Sequence, residues 1–171
     1  MASNRYSILN AEIKTELAAI LKLRDELNTE INNINLKDIS SFEIRGFGSL
    51  LHDIYTALER IFRRIAKNID EDLPQGENWH IELLNRMSLE IQNVRIHVIS
   101  TETREELHEY LRFRHIFRHT YGYDLKWEKM EKLISNLNAC IDRFLVDFNS
   151  FSSWLVNTQK EIDTFERNNQ K

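Results

Sequence analysis

One cysteine in 171 residues leaves Cys140 without an internal disulfide partner, so this chain must fold without covalent staples and suits a reducing, cytoplasmic setting. Only 4 Gly and 1 Pro leave little turn chemistry, and 42% hydrophobic with 29% charged residues fits a soluble helical protein. Long apolar runs are missing as well. Acids interrupt each apolar stretch well short of the about 20 residues that a membrane span needs, and the start MASNRYSILNAEIK lacks a basic-then-apolar signal pattern. No repeat or domain-sized linker appears, so the expectation is a single domain over residues 1–171, with a loose tail at ERNNQK and no membrane partner. The formal net charge of −4 argues against a broad nucleic-acid coat, which needs an extended basic face. It leaves room for a protein that meets phosphate at one local cluster.

What is present is helical periodicity. Apolar residues recur at three- and four-residue steps, the mark of amphipathic helices. Ile13, Leu17, Ile20, Leu27, Ile31 and Ile34 share a face in the first segment, and order is lost across NINLKDISS. A second helix carries Ile44, Phe47, Leu51, Ile54, Leu58, Ile61, Ile65 and Ile69, and stops at DEDLPQG. Leu84, Met87, Ile91, Val94 and Val98 predict a third helix. Thr103 and Glu106 have capping-box spacing and predict the start of a fourth, which Gly122 can end. Asp124 is the expected N-cap of a last helix from Leu125 to Arg167. At about 1.5 Å per residue that helix is about 65 Å long, so either it breaks near NSFSS or its far half packs on a second chain. A dimer is the favoured outcome. No alternating strand pattern competes, and the fold class is all-α.

The segment RFRHIFRHTYGYD, residues 112–124, concentrates Arg112, Arg114, His115, Arg118 and His119 with no acid before Asp124. Arg114 and His119 form Arg-x-x-x-x-His, and Tyr121 extends it to Arg-x-x-x-x-His-x-Tyr. With 14 Arg and 6 His, chance supplies roughly 0.5 such two-residue matches, while the added Tyr reduces it to roughly 0.015. Cations at a helix C-terminus are also the ordinary consequence of the helix dipole. The dipole does not account for Arg114 and Arg118, or His115 and His119, each stacked at i and i+4, where like charges repel. A phosphate between them would remove that penalty.

These residues resemble the signature of the HEPN superfamily, and the His-x-Tyr extension resembles HepT toxins of HepT–MntA toxin–antitoxin pairs. The second helix, LLHDIYTALERIFRRIA, with Tyr55 and Glu59 one turn apart, looks like the corresponding helix of such proteins. The chain is longer than the smallest of them, mainly at its two ends. The resemblance implies a homodimeric HEPN-type bundle with long antiparallel helices. It also implies an endoribonuclease that cuts RNA, with tRNA favoured, through the neighbouring 2′-hydroxyl, without metal or other cofactor. Two copies of the motif would meet across the dimer interface, with Arg114 and His119 catalytic and His115 and Arg118 supporting. Tyr121 would be the acceptor for AMP from a cognate MntA-like nucleotidyltransferase antitoxin.

Other readings rank lower. His115 and His119 can share a helix face for zinc, but a third ligand would have to come from afar, such as His108 or Asp124, and the neighbouring Arg opposes a cation. His52, His80, His97 and His108 are expected at helix surfaces or as hydrogen-bonded core residues, Trp79, Trp127 and Trp154 in packing, Cys140 as buried filler, and RRIAK at 63–67 on a solvated face. The alternative to an enzyme is a helical scaffold whose basic helix end binds an acidic protein patch.

Overall fold

The three- and four-residue spacing becomes helix almost wherever it is found. The computed structural model describes residues 4–121 and 124–169, and within them α1 spans Arg5–Asn33, α2 Ser41–Ile65, α3 Trp79–Met87, α4 Thr101–His119 and α5 Trp127–Asn169. A 3₁₀ turn, Leu36–Asp38, joins α1 to α2, and α2 ends in a π-helical turn, Ala66–Asp70. Side-chain pairs fix the directions. Glu12 and Glu16 of α1 reach Arg64 and Arg60 of α2, and Arg24 reaches Asp142 of α5, so α1 is antiparallel to both. Arg114 of α4 meets Glu59 of α2, and Glu106 meets Arg143 of α5. With Phe117 lying against Gly48 and the Tyr110 hydroxyl donating to the Leu133 carbonyl, α4 is likewise antiparallel to α2 and α5. Among the described residues the fold is an all-α bundle of long antiparallel helices, with short α3 packed on α2 and α4.

The buried residues form one cluster that reaches from Leu9 to Leu155, with Tyr55, Phe62, Phe144 and Phe151 fully enclosed. The three tryptophans pack as expected, Trp127 edge-on to Phe47 and Trp154 stacked on Phe151. Cys140 is buried, and burial foremost, with the nearby Glu106 carboxylate adding to it, pushes its thiol up to about 12. Such a thiol is inert at neutral pH.

Five expectations are corrected. Helix α5 does not break at NSFSS, and its apolar face is covered within the chain as far as Leu155 and Gln159. Helix α1, about 44 Å long, lies beside it, so the length of α5 does not by itself call for a second chain. The tail stays helical through Asn169, with Gln170 and Lys171 outside the described residues. The third helix ends at Met87, and Ile91 and Val94 lie in a loop, where Ile91 and Arg95 bridge around Asn93 at a φ of 62°. Arg95 is the physical reason. Its guanidinium grips Asp70 at 2.6 and 3.0 Å and donates to the carbonyls of Arg86, Leu89 and Ile96, closing the loop on itself. Helix α4 begins one turn before Thr103: Ser100 is the N-cap, and Thr103, Ser100 N–H and Ser100 Oγ all donate to Asp147 of α5. Asp124 is not a cap either, because α5 starts at Trp127 and Lys126 supplies the first carbonyl. Gly122, the expected end of α4, lies outside the described residues.

Candidate active site at the end of α4

Helix α4 buries Leu107, Tyr110, Leu111 and Arg114 in one stripe, so the same periodicity that packs its leucines turns Arg114 inward. On α2, Glu59 follows Tyr55 by one turn on the buried face, and it is 5% exposed. The two meet. Arg114 Nη2 donates to Glu59 Oε1 at 3.3 Å and Arg114 Nε to Thr56 Oγ1 at 3.4 Å, which leaves Nη1 without an acceptor among the described residues. The other Glu59 oxygen takes a short hydrogen bond of 2.5 Å from His80 Nδ1, at the start of α3. Trp79 stacks on the His80 ring at 3.6 Å, and the Arg63 guanidinium lies 5.2 Å above Trp79. Beside them the Tyr55 phenol is held well above its usual range, first by burial and then by Glu59, with Arg114 opposing.

The rest of the motif faces outward. His115, Arg118 and His119 are exposed, and the two imidazoles lie 4.7 Å apart, centre to centre. At 3.6 residues per turn, five residues carry the chain about 140° around the axis, so Arg114 and His119 sit on different sides of α4. Among the described residues no hydrogen bond or ion pair joins the two side chains. The structure also revises the repulsion between Arg114 and Arg118, since Glu59 already neutralises Arg114. Tyr121, just past the helix, is 73% exposed. Phe117 anchors this end: it lies against His52, and a Cβ on Gly48 would stand 2.9 Å from its ring.

A groove of about 550 Å³ between α4 and α5, floored by Tyr110, Phe113 and Met130, includes neither Arg114 nor His119. Among the described residues no three His, Cys, Asp or Glu side chains cluster as a metal site would require, and no helix is long and apolar enough to cross a membrane. The basic run 63–67 does lie on an outer face, where Arg64 pairs with Glu12 and Glu16. His52 and His108 hydrogen-bond to Asp53 and Asn85, and burial, with Arg104 and Arg112 nearby, lowers the His108 pKa. His97, expected on a helix or in the core, is instead exposed in the loop after α3.

Sequence reasoning named Arg114 and His119 and did not find Glu59 or His80 as partners of the site. A signal existed for Glu59: a carboxylate inside the apolar stripe between Tyr55 and Phe62 must find a donor. Nothing in the spacing of His80 marks it as that donor.

Comparison with known proteins gives one finding. A family model described as HepT-like protein matches residues 46–155, from early α2 to beyond the middle of α5, and includes the whole of α3 and α4. No curated protein and no solved structure matches. The unmatched parts are α1 and the end of α5, where the chain was expected to exceed the smallest HepT toxins. With the Arg-x-x-x-x-His-x-Tyr motif inside the matched region and the all-α bundle around it, the chain belongs to the HepT-like family of HEPN toxins.

Proposed function

We propose that this protein is a metal-independent endoribonuclease toxin, acting as one domain per chain, whose active site is completed only in a homodimer. The observation that carries this is the divergence of Arg114 and His119 around α4. Internal transesterification of RNA needs a base to take the 2′-hydroxyl proton, an acid to protonate the departing 5′-oxygen, and a cation for the phosphorane. One protomer offers Arg114, whose Nη1 has no acceptor among the described residues, and an exposed His119 at the end of the same helix. A two-fold axis near the end of α4 lets Arg114 of one copy face His119 of the other, because an isologous contact repeats each pairing. In each pair Arg114 is the cation, and His119 takes the 2′-hydroxyl proton and then hands it to the departing 5′-oxygen. His115, 4.7 Å from His119, orients that imidazole, and Arg118 adds a second cation for the RNA backbone. The family membership makes tRNA the first substrate to try. Incubated with tRNA in excess chelator, the protein is expected to cut it and leave 2′,3′-cyclic phosphate ends. Cleavage that stops with the chelator and returns with a divalent ion would contradict the proposal. A scaffold without activity is the second reading, and no cleavage of any RNA under either condition would favour it.

The same proposal assigns Tyr121 to regulation. Its exposure suits a phenol that a partner enzyme must reach, and the cognate partner would be an MntA-like nucleotidyltransferase. Each AMP transferred from ATP to the hydroxyl brings a bulky base and about one negative charge, placed beside Arg118 and His119 where an RNA phosphate must sit. Tyr121→Phe is expected to keep cleavage, gain no mass in AMP steps with the partner and ATP, and resist neutralisation. Normal silencing of Tyr121→Phe would place the acceptor elsewhere.

A further inference from the structure

We propose that His80 is a positioning residue for Arg114, acting through Glu59, and that its protonation sets how strongly Arg114 holds an RNA phosphate. This rests on the reading of Arg114 as the phosphate-binding group. The three side chains form a chain from different helices: Arg114 of α4 on one oxygen of Glu59 in α2, and His80 of α3 on the other. The carboxylate is 5% exposed, so solvent supplies little of its hydrogen bonding, and it divides its charge between two donors. The His80 contact, at 2.5 Å, is much shorter than the Arg114 contact at 3.3 Å. Trp79, stacked on the ring at 3.6 Å, fixes its plane, and the 21% exposure of the side chain leaves it in reach of solvent protons. Among the described residues no group bonds Nε2, so the ring can take up a proton there without breaking a described contact.

The consequence has a definite sign. With a neutral imidazole, Glu59 and Arg114 cancel, and an incoming phosphate meets a cation already engaged by a carboxylate. A protonated imidazole gives the cluster one net positive charge and draws Glu59 toward His80, so Arg114 is freer to hold the phosphate through Nη1. Capture therefore strengthens as the pH falls and the ring gains its second proton. Among the described residues, His80 bonds Glu59 of α2, which also meets Arg114 of α4 beside Tyr55, and Arg63 of α2 lies over the stacked Trp79; His115 and His119 of α4 are further imidazoles at the proposed phosphate site. By reciprocity, a bound phosphate must favour the protonated ring as much as the protonated ring favours phosphate.

The test uses the full-length protein and a 2′-O-methyl RNA oligonucleotide, which binds without being cut. Its dissociation constant is measured from pH 6 to 8 for wild type, His80→Asn, Arg114→Ala and the double variant. Asparagine places an amide N–H near the Nδ1 position, so it keeps the bond to Glu59 but cannot ionise. Wild type is expected to bind about tenfold tighter at pH 6 than at pH 8, the coupling that one pKa unit carries. His80→Asn is expected to lose the part of the pH 6 gain that runs through Arg114 and to keep the part that the His115 and His119 imidazoles supply at the same phosphate. Adding His80→Asn to Arg114→Ala is expected to change nothing, because the effect runs through Arg114. If Arg114→Ala weakens binding while His80→Asn keeps the full pH dependence, the role of His80 is overturned and that of Arg114 stands. If Arg114→Ala binds like wild type, the phosphate role of Arg114 itself falls. An NMR titration of His80 in wild type covers the case of a poorly folded variant: the oligonucleotide must move its midpoint to higher pH, and an unmoved midpoint overturns the inference.

Discussion

His119→Ala and Arg114→Ala are each expected to lower RNA cleavage by about 10²–10⁴-fold, the contribution typical of a single proton-transfer group or a preorganised donor. The two losses should look different in every other measurement. His119 ends α4 with its ring exposed, so its removal leaves the thermal unfolding midpoint close to wild type. Arg114 is 9% exposed and bonded to Glu59, so its removal leaves a buried carboxylate with His80 alone and lowers stability as well. Cleavage rates under single-turnover conditions, with unfolding midpoints for both variants, separate the two effects. A fully active His119→Ala would remove the motif from the chemistry.

Arg95→Ala is expected to be the most damaging substitution for the fold, costing about 3–5 kcal/mol because it strands a buried Asp70. The two side chains are 0% and 3% exposed, and the guanidinium spends its donors on Asp70, the Arg86 carbonyl at the end of α3 and the loop carbonyls of Leu89 and Ile96. Against a total stability of about 5–15 kcal/mol, that loss removes much of the folded population. Urea unfolding of the variant measures it, and a loss under about 1 kcal/mol would show that the loop holds without this pair. The effect should reach the candidate site, since the loop follows α3 and α3 carries His80.

That loop also shows how far the sequence could be read. Leu84, Met87, Ile91, Val94 and Val98 keep a helical rhythm, yet only the first two are helical and buried. Val98 is buried from the loop, through the hydrogen bond of its N–H to the Met87 carbonyl. A spacing of apolar residues carries no information about a lone Arg whose partner, Asp70, lies 25 residues earlier. Capping shows the same limit locally. Thr103 and Glu106 have the right spacing, but the true capping box is Ser40 and Glu43, whose carboxylate accepts from Ser40 N–H and Oγ and has its pKa lowered by those bonds. The four long helices were legible because each buries a regular stripe. The motif Arg114, His119 and Tyr121 was legible because it is contiguous. Glu59 and His80 were not, since their meeting depends on how three helices pack.

The measurement that tests the composite site most directly is complementation between two inactive chains. Arg114→Ala and His119→Ala proteins are purified separately, mixed at equal concentration, allowed to exchange subunits, and assayed on tRNA. If Arg114 of one copy works with His119 of the other, half of the dimers are mixed and each holds one intact site, so about a quarter of wild-type activity should return. A mixture that exchanges subunits and stays as inactive as its two components would contradict a site shared between copies.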